Sequence, residues 1–165
     1  MSSFSIRAAD VNDLPGITDI YNDAVLHTAA TFDTETKTPE QQKAWFASHG
    51  RLHPIRVAEQ NGSIIAWASL SRWSDRCAYD LTVEVSVYVH KDFRGKGIGR
   101  QLLQAVTHAG KEAGVHCILS RITEGNAVSI HLHEALGYTH IGVMRQAGKK
   151  FGKYLDVYMM QKVFE

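Results

Sequence analysis

"VYVHKDFRGKGIGRQLL", Val87–Leu103, joins an apolar run with strand character to a helical run through Arg94-Gly95-Lys96-Gly97-Ile98-Gly99. Glycines at alternate positions leave backbone N–H groups uncovered, and Arg94, Lys96 and Arg100 set cations among them. Bare N–H groups at a helix start, with cations beside them, suit a phosphate group. The stretch is not a nucleoside triphosphate loop, because no Gly-Lys-[Ser/Thr] follows at the required spacing and the magnesium ligand would be missing. Nor is it a dinucleotide fingerprint: the glycines lie two apart, and the next strand, "VHCILSRI", ends without the acid that would hold a ribose. The plainer alternative is a turn that only starts a helix, but this many glycines and cations exceed what a turn requires.

The 165 residues suffice for one domain, 1–165, with a single core. A formal net charge of +1 argues against a nucleic-acid partner, and the basic residues cluster at 91–100 and 145–153, as a small anionic ligand would want. "MSSFSIRAADVND" has no charged segment leading into an apolar run, and no stretch reaches membrane-spanning length, so a cytoplasmic protein without a membrane partner is expected. Cys77 and Cys117 form no CxxC pair and read as small buried hydrophobes. His131 and His133 point to different helix faces and no His/Asp/Glu set has ligand spacing, so no metal is expected; the absence of G-x-S-x-G disfavours a serine hydrolase.

Outward from the loop, period two in "AYDLTVEVSVYVH" predicts a strand with Val83, Val85, Val87 and Val89 on a core face. Thr82, Glu84, Ser86 and Tyr88 fall on the other face, which is free for chemistry. Asn61-Gly62 predicts a hairpin within "PIRVAEQNGSIIAWASLS". "FSIRAA" reads as a first strand, Asp13 and Pro15 mark a first helix, and Thr38-Pro39-Glu40-Gln41 forms a capping box for a second over about 39–48. Between those helices, 27–37 is a loop whose Phe32 suits a lid or pocket wall. After the glycines come a helix closed by Gly114, the strand "VHCILSRI", a helix from Asn126 to Gly137, and two strands, 138–146 and 154–163, joined by "GKKFGK". The sum is a mixed α/β fold, a largely antiparallel central sheet with flanking helices.

Arg94-Gly95-Lys96-Gly97-Ile98-Gly99 resembles the Arg/Gln-x-x-Gly-x-Gly/Ala signature of the GNAT superfamily of acyl-CoA N-acyltransferases, and the order of elements from 4 to 163 resembles that fold throughout. "RCAYDLTVEVSVYVH", "IHLHEALGY" and "GKKFGKYLDVYMMQ" are similar to the phosphinothricin and methionine sulfoximine N-acetyltransferases. The resemblance implies acetyl-CoA as co-substrate, with no resident metal. It places the pyrophosphate on the backbone of Arg94, Gly95, Lys96, Gly97, Ile98, Gly99 and Arg100, the pantetheine arm along Val87, Tyr88 and Val89, and further coenzyme contacts at Asn126 and Ser129. For Asn126 a plain helix cap is the alternative, and both can hold.

Transfer of acetyl from a thioester to an amine needs a neutral amine, donors for the oxyanion and a proton for the thiolate. Glu84, the carboxylate of "LTVEVSVYV", is the candidate base; by pattern alone a solvated surface Glu serves equally well, and the resemblance favours the base. His133 stands where many GNAT enzymes carry an acidic tyrosine, leaving proton transfer, substrate contact or packing open to it. For a small amine substrate bearing a carboxylate, the resemblance points to Arg76, Tyr79 and Phe32, with Arg72 as an addition; a solvated charge is the reading for Lys149 and Lys150. A homodimer is also implied, and the aromatic-rich "KYLDVYMMQKVF" agrees with one. The remaining alternatives are another small amine or a protein N-terminus as acceptor, and a coenzyme A-binding module without catalysis.

Overall fold

Asn61 and Gly62 both take left-handed backbone angles (φ 51° and 78°), the conformation a two-residue hairpin turn requires. They fold β2 (Ile55–Gln60) back onto β3 (Ser63–Arg72). In the computed structural model, which describes residues 3–165, this hairpin belongs to a seven-stranded sheet of order β1-β2-β3-β4-β5-β7-β6. The other strands are β1 (Ser5–Ala8), β4 (Thr82–Val89), β5 (Cys117–Thr123), β6 (Thr139–Lys150) and β7 (Lys153–Val163). Every neighbouring pair is antiparallel except β4 and β5. The mixed, largely antiparallel architecture read from the sequence is the one observed.

Strand alternation sorts side chains to two layers. Ala58, Ala68, Leu70, Val83, Val85 and Ile118 meet α3 (Ile98–Ala113), whose Leu102, Leu103 and Val106 are buried against them. Val57, Trp67 and the partly buried Tyr88 meet α1 (Leu14–His27) and α2 (Pro39–Ala47) on the opposite face. Gly114 (φ 100°) ends α3, and the Thr38–Gln41 capping box starts α2, both as the sequence predicts. Asp13 behaves differently. Its buried carboxylate caps no N–H of α1 but accepts a fork from Arg7 at 2.7 and 2.8 Å, which holds it below the usual carboxylate range.

Two boundaries differ from expectation. β4 begins at Thr82 because Cys77–Tyr79 coil into a single 3₁₀ turn, closed by the Asp80 N–H on the Cys77 carbonyl at 3.0 Å. The last hairpin is longer than predicted, with only Phe151 and Gly152 (φ 51° and 76°) in its turn, so most of "GKKFGK" is strand. Irregular register between His140 and Gly142, and between Met144 and Gly148, breaks the period that would have revealed it. Cys77 also departs from the reading, being exposed, while Cys117 is half-buried.

His49 closes the end of α2. Its Nδ1–H donates to the Trp45 carbonyl at 2.6 Å, and Nε2 lies 3.0 Å from the Ser71 hydroxyl. Burial pushes the proton affinity of His49 and His53 below the ordinary histidine value. Both rings are therefore neutral above pH ~6.5 in either state, whereas below it the unfolded chain binds protons first and stability is lost. The urea midpoint is expected to fall between pH 7.5 and 5.5, and His49→Gln to flatten part of that slope. Leu102→Ala, in a site with no exposure, is expected to lower unfolding free energy by about 2–5 kcal/mol in the same measurement.

Candidate active site

β4 and β5 pair at only three positions, Thr82 with Cys117, Val83 with Ile118 and Glu84 with Leu119. Beyond them β4 stays with β3 as far as Val89, and β5 stays with β7 as far as Thr123, so the two strands part. A cavity of about 600 Å³ occupies the gap and is walled from both faces of the sheet.

On the α1 face the wall holds Glu84, Tyr88, Arg121, Tyr21, Phe32 and Asp33. Arg121 forks onto Glu84, Nε to Oε1 at 2.8 Å and Nη2 to Oε2 at 2.5 Å, and its guanidinium lies 5.5 Å from the Trp73 ring centre. Glu84 is therefore neither a lone solvated carboxylate nor one held among apolar groups. Tyr88 packs on Trp67 and edge-on to Tyr21, and burial pushes its phenol up to about 12, so at neutral pH it keeps its proton. Tyr21 donates to Asp33 and lies 3.0 Å from the Thr31 hydroxyl, fixing the loop after α1. Phe32 rests directly on Gly148, where any Cβ would collide with its ring. Lys150, expected to be solvated, is only 4% exposed and donates to the Thr31 carbonyl at 2.8 Å, tying the same loop to β6; Lys149 is exposed, as read.

On the other face α4 (Ala127–Ala135) supplies the wall. Asn126 caps it, Oδ1 accepting from the Ser129 N–H at 3.2 Å, so the plain cap is present and both residues also face the cavity. His133, 4% exposed, donates from Nδ1 to the Ser129 carbonyl at 2.7 Å. In the neutral ring that burial favours, this leaves Nε2 bare to accept from the buried Ser120 hydroxyl at 3.0 Å. Burial lowers the proton affinity of the ring, so His133 is a neutral imidazole that holds Ser120.

The glycine loop has the form that an anion needs. Gly95 and Gly97 take left-handed φ values of 74° and 78°, and Gly97 begins α3 without a side-chain cap. The N–H groups of the first turn, Ile98 to Arg100, are free of any capping side chain, and a Cβ at Gly95 or Gly97 would meet open space. Arg94 reaches back to the Val89 carbonyl at 3.2 Å, linking the loop to the end of β4.

Phe32, Glu84, Val87, Tyr88, Asn126, Ser129 and His133 thus come together at one cavity. Arg72, Arg76 and Tyr79 do not; among the described residues the wall includes none of them. The 3₁₀ turn carries Arg76 and Tyr79 outward into solvent, and Arg72 is held by the Ser74 carbonyl at 2.8 Å and Asp80 at 3.1 Å. The sequence reading missed Arg121 and Ser120. Their signal was the alternation of "CILSRI", which sends Arg121 to the face of Glu84 and Ser120 to that of α4.

Residues 17–138 match the acetyltransferase (GNAT) family. The chain is 45% identical over 161 residues to an L-methionine sulfoximine/L-methionine sulfone acetyltransferase of Pseudomonas paraeruginosa, covering 96% of this chain and 94% of that one. It is 36% identical over 156 residues to a phosphinothricin N-acetyltransferase of Streptomyces coelicolor, covering 92% and 91%. Among solved structures, a GNAT superfamily phosphinothricin acetyltransferase of Sinorhizobium meliloti in complex with acetyl-CoA superposes with a TM-score of 0.94 at 33% identity, over 99% of this chain and 89% of that one. The glycine loop, the parted strands and these likenesses over nearly the whole length agree: the chain belongs to the GNAT family of acetyltransferases.

Proposed function

We propose that this enzyme transfers acetyl from acetyl-CoA to the α-amino group of a glutamate-like amino acid analogue such as phosphinothricin or methionine sulfoximine. The observation that carries the reading is the cavity between β4 and β5, open to both faces of the sheet with Glu84 on its wall. A donor laid on the α3 and α4 side and an amine arriving from the α1 side meet there.

The chain's residues divide the work. Backbone N–H groups at Ile98, Gly99 and Arg100, with Arg94 and Lys96 beside them, hold the pyrophosphate of acetyl-CoA, which supplies the activated acetyl group. The edge of Val87 left free by the parting runs beside the pantetheine arm, Val89, whose carbonyl accepts from Arg94, stands at its end, and Asn126 and Ser129 flank it. Glu84 takes a proton from the ammonium of the acceptor, directly or through water; the neutral amine attacks the thioester carbonyl, the C–S bond breaks, and the second proton shed by nitrogen passes to the departing thiolate, with no covalent enzyme intermediate. Tyr88, protonated at neutral pH, offers a hydroxyl donor to developing negative charge. His133 lacks a free proton to give; it positions Ser120, whose hydroxyl lies on the cavity wall. Phe32 forms the acceptor end.

The names of the relatives support the acceptor class, and the free, exposed Cys77 suits a reducing, cytoplasmic setting. A second copy of the chain is the proposed partner. Ile141 and Val143 on β6, Phe151 in its turn and Tyr154 on β7 leave large apolar side chains 45–62% exposed beside the edge strand of the sheet.

A thiol-release assay with acetyl-CoA should show turnover of phosphinothricin, methionine sulfoximine and methionine sulfone, and none of a polyamine or an N-terminal peptide; preference for either of the last two would move the acceptor to another class. Glu84→Gln is expected to lower kcat by about 10²–10⁴-fold while calorimetry still detects coenzyme A binding. Light scattering at micromolar concentration should give twice the chain mass, and a monomer mass would remove the partner from the reading.

A further inference from the structure

Apart from the neutral His133, Arg121 is the one basic side chain among the described residues that line the cavity. The cations expected from the sequence to grip an acidic substrate, Arg72 and Arg76, lie outside that wall. The cavity carries two carboxylates, Glu84 and Asp33, and Asp33 is engaged by Tyr21 and, at 3.3 Å, by Lys37. One cation and one carboxylate therefore stand together on the acceptor side, already paired with each other.

We propose that the Arg121–Glu84 pair reads the zwitterion of a free α-amino acid, Arg121 taking the substrate carboxylate and Glu84 the ammonium. This rests on the acceptor class proposed above. An α-amino acid places opposite charges one carbon apart, and the pair presents their complements side by side. The guanidinium has five N–H groups, of which the fork onto Glu84 uses two. Arg121 is 51% exposed where Glu84 is 19% exposed, so the unused edge of the guanidinium is open to a substrate. The Trp73 ring beside the guanidinium and the fork itself hold it in one orientation, which suits bidentate capture of a second carboxylate.

The pair also restrains the base. While both Glu84 oxygens accept from Arg121, an arriving ammonium must compete with the fork for them. A substrate carboxylate on the outer edge draws that cation away, and the ammonium arrives at the oxygens it leaves. Glu84 then takes one proton from nitrogen, and the nitrogen lone pair becomes available for attack. Amines without a neighbouring carboxylate leave the fork intact, so the pair discriminates by chemistry as well as by fit.

The test compares methionine sulfone, its carboxamide and its decarboxylated amine as acceptors for the wild type, Arg121→Gln and Arg121→Lys. The wild type should favour the carboxylate over the carboxamide by about 10- to 100-fold in kcat/KM. Arg121→Gln should reduce that preference to within about threefold, mainly through KM for the carboxylate, and Arg121→Lys should restore part of it. Circular dichroism and coenzyme A binding check that each variant is folded. Retention of the full preference by Arg121→Gln overturns the proposal, as does an equal loss on carboxylate and carboxamide, which assigns Arg121 to holding Glu84 alone. Wild-type turnover of none of the three overturns the acceptor reading itself, a result distinct from either.

Discussion

After three paired residues β4 and β5 separate, and the rest of the molecule is arranged around that parting. A buried strand edge needs partners for its backbone groups, so a gap in the middle of a sheet is costly unless something is meant to lie in it. Here each diverging strand stays anchored on its outer side, β4 to β3 and β5 to β7. The opening is thus a fixed feature of the sheet. It puts the two faces in communication at one place: Asn126 and α4 border it from one side, and Glu84, Arg121 and Phe32 from the other.

The electrostatics of the two sides differ in kind. On the α4 side burial keeps the ionisable ring of His133 neutral, outweighing the bond to the Ser129 carbonyl, which by itself favours the charged form. On the α1 side charge is retained in a forked pair, and Tyr88 remains a neutral hydroxyl because ionising it would place an anion among aromatic rings. Neutral groups thus face the gap from α4, and a forked charge pair faces it from the side of α1.

Much of this was legible in the sequence because it is local. Period two in "TVEVSVYV" assigned both faces of β4, the glycines at 95 and 97 marked the loop that leads from β4 into α3, and Asn61-Gly62 closed a hairpin that exists. What was not legible depends on packing between distant segments. The resemblance named Arg76 and Tyr79, and the single 3₁₀ turn that leaves both exposed and outside the cavity wall has no signal in the local pattern. Arg121 lies 37 residues from Glu84, and only the register of β4 on β5 brings them together. Lys150 lies 119 residues from Thr31, so nothing near it in sequence could distinguish a buried ammonium from a solvated one. The final hairpin was underestimated because its register irregularities break the alternation by which strands are recognised.

The Lys150 contact differs in kind from an apolar seal. A loop sealed by apolar surface must expose that surface to open, so opening is opposed throughout. The ammonium of Lys150 is desolvated only while it is shut under Thr31, and it regains its water as soon as the loop lifts. The hydration recovered offsets part of the lost bond. The contact therefore holds the loop with a bond that water competes for, beside the apolar hold of Phe32 on Gly148.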